Sequence, residues 1–112
     1  MSRGLGDVYK RQLYVSVNFY SSKRKHPPIL TNEKYYPHFV VKGDSEYLGV
    51  NFIDGPDLVA FDTNVLASVL PIYEGVGYDK LTKGTAFFIM EGGNIVGEGE
   101  VDEIFPHGMS RG

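Results

Sequence analysis

Residues Gly84 to Ile104 read GTAFFIMEGGNIVGEGEVDEI, and this stretch decides the fold. Gly84 to Met90 is strongly apolar, as a buried strand would be. Glu91-Gly92-Gly93-Asn94 follows as a tight hairpin, because glycine accepts the positive φ of a two-residue primed turn. Ile95 to Ile104 then returns as the last strand. Alternation places Ile95, Gly97, Gly99 and Val101 on one face. Glu98, Glu100 and Asp102 fall on the other, facing solvent. Glycines on the inner face indicate sharp curvature or close approach of another backbone, as at a barrel corner.

The same period of two recurs upstream. Leu13, Val15, Val17 and Phe19 alternate with Tyr14, Ser16, Asn18 and Tyr20. Leu48, Val50 and Phe52 share one face of a strand over Tyr47 to Ile53. Pro37 to Lys42 and Asn64 to Leu70 complete the set. Proline is permitted at the start of the first of these, and Pro71 ends the second. Gly43-Asp44-Ser45 and Asp54-Gly55-Pro56-Asp57 carry turn chemistry. Ser21 to Lys34 is a loop in which Pro27-Pro28 excludes helix. Glu74 to Lys83 is a glycine-bearing connection. No stretch keeps a helical period. Six short strands separated by turns predict an all-β fold, a six-stranded antiparallel barrel.

Length and composition agree with a single small domain. The chain has 112 residues, 42% hydrophobic and 22% charged. That suffices for one core and is too apolar for a disordered chain. No cysteine is present, which excludes a disulfide framework, a zinc-thiolate site and a cysteine nucleophile. No apolar run approaches the roughly 20 residues of a membrane span, and no signal peptide is recognisable. A cytoplasmic protein with no membrane partner is therefore expected.

Ser2 to Gln12, SRGLGDVYKRQ, resembles the translated mosaic-end adapter of transposon-based DNA library preparation over all eleven positions. Residues 1–12 are accordingly set apart as an adapter-derived stretch, 13–105 as the barrel and 106–112 as a C-terminal tail. The native N-terminus then lies out of view. The tetrapeptide MSRG recurs at Met109 to Gly112, and nothing in the sequence explains the repeat. Without Arg3, Lys10, Arg11 and Asp7, the 11 basic and 14 acidic side chains become eight and thirteen, a net charge of −5. Such a domain is a poor general nucleic-acid binder, and DNA is not an expected partner.

Particular residues carry more than the pattern. The hairpin Ile89 to Gly99 resembles the C-terminal hairpin of the elongation factor Tu family, IREGG, two variable residues, then VGAG. Tyr35-Tyr36-Pro37-His38-Phe39 is similar to that family's YRPQF. Lys25-His26-Pro27-Pro28 stands where the family has Arg-His-Thr-Pro. Asn64-Val65, and Gly84 before the apolar strand, fall in family order. The similarity spans Leu13 to Ile104 and is to the third, C-terminal barrel domain of elongation factor Tu and elongation factor 1-alpha.

The resemblance implies a six-stranded barrel that binds the T-stem of aminoacyl-tRNA and packs on a GTPase domain. It carries Lys25, His26, His38, Glu91 and Gly92 over as tRNA-binding positions. Departures weaken that expectation. His38 replaces a glutamine, Tyr47 falls near a threonine, and Tyr36 replaces an arginine that would grip phosphate bidentately. The hairpin tip also reads simply as a turn, and Lys23 to His26 as a solvated loop.

No G-x-x-x-x-G-K-[ST] phosphate loop is present, and Gly75-Val76-Gly77 falls short of one. No nucleophile elbow appears. His26, His38 and His107 lack metal-ligand spacing. The carboxylates Glu98, Glu100, Asp102 and Glu103 lack a calcium loop. Tyr35, Tyr36, Phe39 and Tyr47 read as base-stacking platforms or, at strand spacing, as core aromatics. The sequence thus predicts a non-enzymatic binding module with no cofactor. It leaves three readings open: a fragment or stand-alone relative of the translation factor that contacts tRNA weakly, a protein-interaction module that has lost tRNA binding, and, disfavoured by the lack of a catalytic constellation, an unrecognised enzyme. The negative charge favours the second, the Glu-Gly-Gly tip and basic loop the first.

Overall fold

The computed structural model describes residues 11–72 and 78–106. Residues 1–10, Gly75-Val76-Gly77, His107 and the repeat at Met109 to Gly112 lie outside the described residues. Six strands form: β1 (Arg11–Phe19), β2 (His38–Val41), β3 (Leu48–Asp54), β4 (Asn64–Pro71), β5 (Ala86–Glu91) and β6 (Asn94–Pro106). They close into a barrel in the order β1-β4-β3-β2-β5-β6, with β6 returning to β1 and every pairing antiparallel. Closure leaves no free sheet edge. Among the described residues the only helical element is a 3₁₀ turn at Tyr78–Lys80, and no helix is long and apolar enough to cross a membrane.

Alternation explains the core. Leu13, Val15, Val17 and Phe19 of β1, and Leu48, Val50 and Phe52 of β3, are buried as their period requires. Phe39 of β2 stacks on Phe87 of β5, ring centroids 3.9 Å apart. Phe52 meets Phe19, Tyr35 and Phe39. Truncating such a buried ring to alanine costs about 3–5 kcal/mol. Leu30, Val59 and Leu81 are equally buried, yet they come from loops folded over the barrel ends.

Three details depart from the sequence reading. β1 starts at Arg11 rather than Leu13, with Arg11 and Gln12 in register with Pro106 and Phe105. Ladder bonds are made by backbone and so extend beyond the alternating run. Val96, not Ile95, enters the core: Ile89 pairs with Gly97 but Met90 with Ile95, so Val96 is the extra residue of a bulge. A bulge shifts the alternation by one, which periodicity alone does not reveal. A second bulge in β6 opposite Tyr14 and Val15 makes Asp102 the extra residue there.

The inner-face glycines of β6 do permit a close approach. A Cβ on Gly97 would lie 2.4 Å from the Asn18 carbonyl oxygen, and one on Gly99 2.5 Å from that of Ser16. No side chain fits between β6 and β1 at these points.

Candidate functional site

The topology brings His38, Glu91 and Gly92 to one corner, and the loop carrying Lys25 and His26 reaches it through Arg24. β2 and β6 both flank β5, so His38 pairs with Met90, one residue before Glu91. Glu91 pairs with Asn94 across Gly92 and Gly93, and Gly92 takes φ +60°. Positive φ at the first central residue is the demand of a type II′ turn, which glycine meets without steric cost. Loop 20–34 meets this tip through Arg24, which contacts Glu91 and is followed in sequence by Lys25 and His26, both exposed.

Arg24 and Tyr35 make that corner; Arg24 was not singled out as a binding residue, and Tyr35 only as one of four aromatics read as stacking platforms or core. Arg24 Nε lies 3.2 Å from Glu91 Oε2, and its Nη1 donates to the His26 carbonyl at 3.0 Å. The guanidinium carbon stands 5.6 Å from the centre of the Tyr35 ring, a cation–π contact. The Tyr35 hydroxyl donates to the same Glu91 oxygen. Burial first, then this hydrogen bond, hold the Tyr35 phenol far above its ordinary range. Glu91 is therefore occupied internally and is not a free carboxylate at the tip. Arg24 was visible only as one member of a basic run, and Tyr35 as one aromatic among several.

The cations sort into two sets. Lys42 pairs with Glu98, Lys80 with Asp44 and Glu46, Lys83 with Glu103 and Arg24 with Glu91. Lys23, Lys25 and Lys34 have no carboxylate partner among the described residues. All three belong to loop 20–34. Arg24, Lys34, Asn32 and Tyr35 border a shallow recess of about 250 Å³ on that loop, with Pro27, Pro28 and Ile29 as its apolar wall.

The aromatic candidates divide as well. Phe39 is fully buried, and Tyr35 packs on Phe19 and Phe52, so both serve the core. Tyr36 and Tyr47 are exposed, and Tyr47 leans on the His38 ring at 5.5 Å. Glu98, Glu100 and Asp102 lie on the outer face as alternation required. No cluster of three or more His, Asp or Glu able to hold a metal ion occurs among the described residues.

No protein-family model matches the chain, and a search of curated proteins finds no match.

Proposed function

We propose that this barrel is a non-enzymatic binding module related to the third domain of elongation factor Tu, meeting the T-stem of tRNA at the corner of loop 20–34 and the β5–β6 hairpin. Such a role in translation would place it in the cytoplasm. The observation that carries the reading is that Lys23, Lys25 and Lys34, three cations without a carboxylate partner among the described residues, all lie on loop 20–34. That loop is tied to the hairpin tip by Arg24, which pairs with the tip's own carboxylate, Glu91. Elsewhere among the described residues Lys42, Lys80 and Lys83 are spent on internal pairs, so this loop offers phosphate its counter-charges. Tyr36 and Tyr47 supply exposed ring faces nearby.

Few contacts imply weak binding. Three phosphates at most would be neutralised, against a barrel that is itself acidic. Affinity close to about 10⁻⁴ M at physiological salt is expected, with a salt slope near −1 per contact. Fluorescence titration of tRNA with an Arg3→Gln, Lys10→Gln, Arg11→Gln variant removes the contribution of the adapter-like stretch. Lys25→Glu should then weaken binding and flatten the slope. Undetectable binding at about 100 mM salt would refute the tRNA reading and leave protein interaction.

A further inference from the structure

We propose that the outer face of β1, β4 and β6 is a docking site for a partner protein, and that the segment it receives carries lysine or arginine beside apolar anchors. The register shows how this face is assembled. Tyr14 and Ser16 form the outward row of β1. On one side stand Ser68 and Leu66 of β4, opposite Tyr14 and Ser16. On the other stand Glu103 and Glu100 of β6, opposite the same two residues. Ser68 is buried, so β4 contributes Leu66 alone as its exposed apolar side chain, while β6 carries the carboxylates and, further along, Phe105.

The apolar side chains of this face are exposed. Leu66 is 54% exposed, Phe105 48% and Tyr14 39%, and Tyr14 meets Phe105 edge-on with centroids 6.4 Å apart. Leu58, by contrast, is exposed singly on a loop, and a single exposed leucine is ordinary. Tyr14 and Phe105 form a contacting aromatic pair, and Leu66 lies diagonally across the β1–β4 ladder from Tyr14, so the exposed apolar residues share one face.

The acidic part specifies the partner. Glu98 and Glu103 are answered by Lys42 and Lys83, and Asp102 only by the Ser16 hydroxyl at 2.6 Å. Glu100 has no cationic partner among the described residues. It opens onto a groove of about 210 Å³ whose walls include Asn18, Asn64 and the Lys42–Glu98 pair. Asn18 donates its amide to Asn64, which leaves the Asn18 oxygen and the Asn64 amide for a ligand. A lysine or arginine head fits this groove, with the Glu100 carboxylate and the Asn18 oxygen as acceptors. RNA does not fit, because Glu100 and Asp102, which have no cationic partner among the described residues, repel phosphate. The complementary surface is cationic and apolar together, as on a protein segment. The inference stands apart from tRNA binding, since the corner at Glu91 shares none of these side chains.

The test uses an isotope-labelled full chain and a synthetic peptide, Ac-Lys-Leu-Lys-Phe-Lys-Leu-Lys-amide, with amide shifts followed by NMR. Two controls carry glutamate in place of lysine, or serine in place of leucine and phenylalanine. The basic apolar peptide should give saturable shifts at Tyr14, Ser16, Leu66, Glu100 and Phe105. The acidic control should give none, and the serine control should bind at least about fivefold more weakly. Glu100→Lys should weaken binding at least about tenfold, and Leu66→Ser about fivefold, both with thermal melting essentially unchanged. Lys25→Glu should leave peptide binding intact while weakening tRNA binding. Shifts centred on loop 20–34, no saturable shifts, or equal affinity for the wild type and Glu100→Lys would each overturn the proposal.

Discussion

The hydroxyl of Tyr35 donates to the carboxylate of Glu91, joining the approach to β2 with the tip of the β5–β6 hairpin. Because Arg24 takes the same oxygen, loop 20–34 is fastened to the hairpin through one carboxylate. Substitution at Glu91 should thus free two partners at once.

Alkaline pH should loosen this fastening. The folded state holds the Tyr35 phenol above its ordinary 10.0, through burial and the bond to Glu91. Folding therefore binds that proton more tightly, and its contribution is complete below about pH 10 and declines above it. Tyr20, raised chiefly by burial, acts in the same direction. Urea melts between about pH 8 and 11 should show falling stability, and Tyr35→Phe should make the decline shallower. At neutral pH, Tyr35→Phe should cost about 1 kcal/mol through the lost hydrogen bond.

Gly97 and Gly99 of β6 should behave oppositely to Gly93 of the turn. Gly97→Ala and Gly99→Ala push a methyl into the β1 backbone and should each cost about 1–3 kcal/mol by chemical denaturation. Gly93→Ala meets nothing within 4 Å and lies outside the left-handed region, so it should stay within about 0.5 kcal/mol.

Glu33 adopts φ +58°, a left-handed conformation that strains a residue bearing a Cβ. Glu33→Gly relieves that strain while adding some backbone entropy to the unfolded chain. The net expectation is a gain of up to about 1 kcal/mol, read from the denaturation midpoint. A loss would mean that the loop conformation is not under strain.

Lys80 grips two carboxylates, with Asp44 Oδ2 at 2.8 Å and Glu46 Oε1 at 2.7 Å. The hydrogen bond from Lys80, then those from the Ser45 and Glu46 amides, hold the Asp44 carboxyl below its usual range. A depressed carboxyl contributes stability above its unfolded pKa and loses it as pH falls through the folded one. Carboxyl-carbon NMR titration should show Asp44 moving back up in Lys80→Gln, though not fully, because the amides remain.

Legibility in the sequence followed locality. Leu13 to Phe19 announced their inward face because nothing interrupts the alternation, and Gly92 announced its turn because the backbone there requires glycine. Val96 was hidden by a bulge, which only the partner strand defines. Leu30, Val59 and Leu81 were hidden because loops bury residues by position in space, with no period to mark them. At the corner, Lys25, His26, His38, Glu91 and Gly92 were legible as separate motifs. The Arg24–Glu91–Tyr35 junction was not, since its members meet only after the barrel has closed.

Closure itself sets an order of events in synthesis. β1 is held by β4 and β6, and its pairing with β6 joins nearly the two ends of the described chain. That seam must await the last strand, so the barrel cannot be completed while β6 is still inside the ribosome. Contacts so distant in sequence make refolding slow, in the millisecond-to-second range typical of small barrels. Until then β1 waits as an exposed strand edge carrying Leu13, Val15 and Val17, and a nascent chain in that state is a natural client for chaperones.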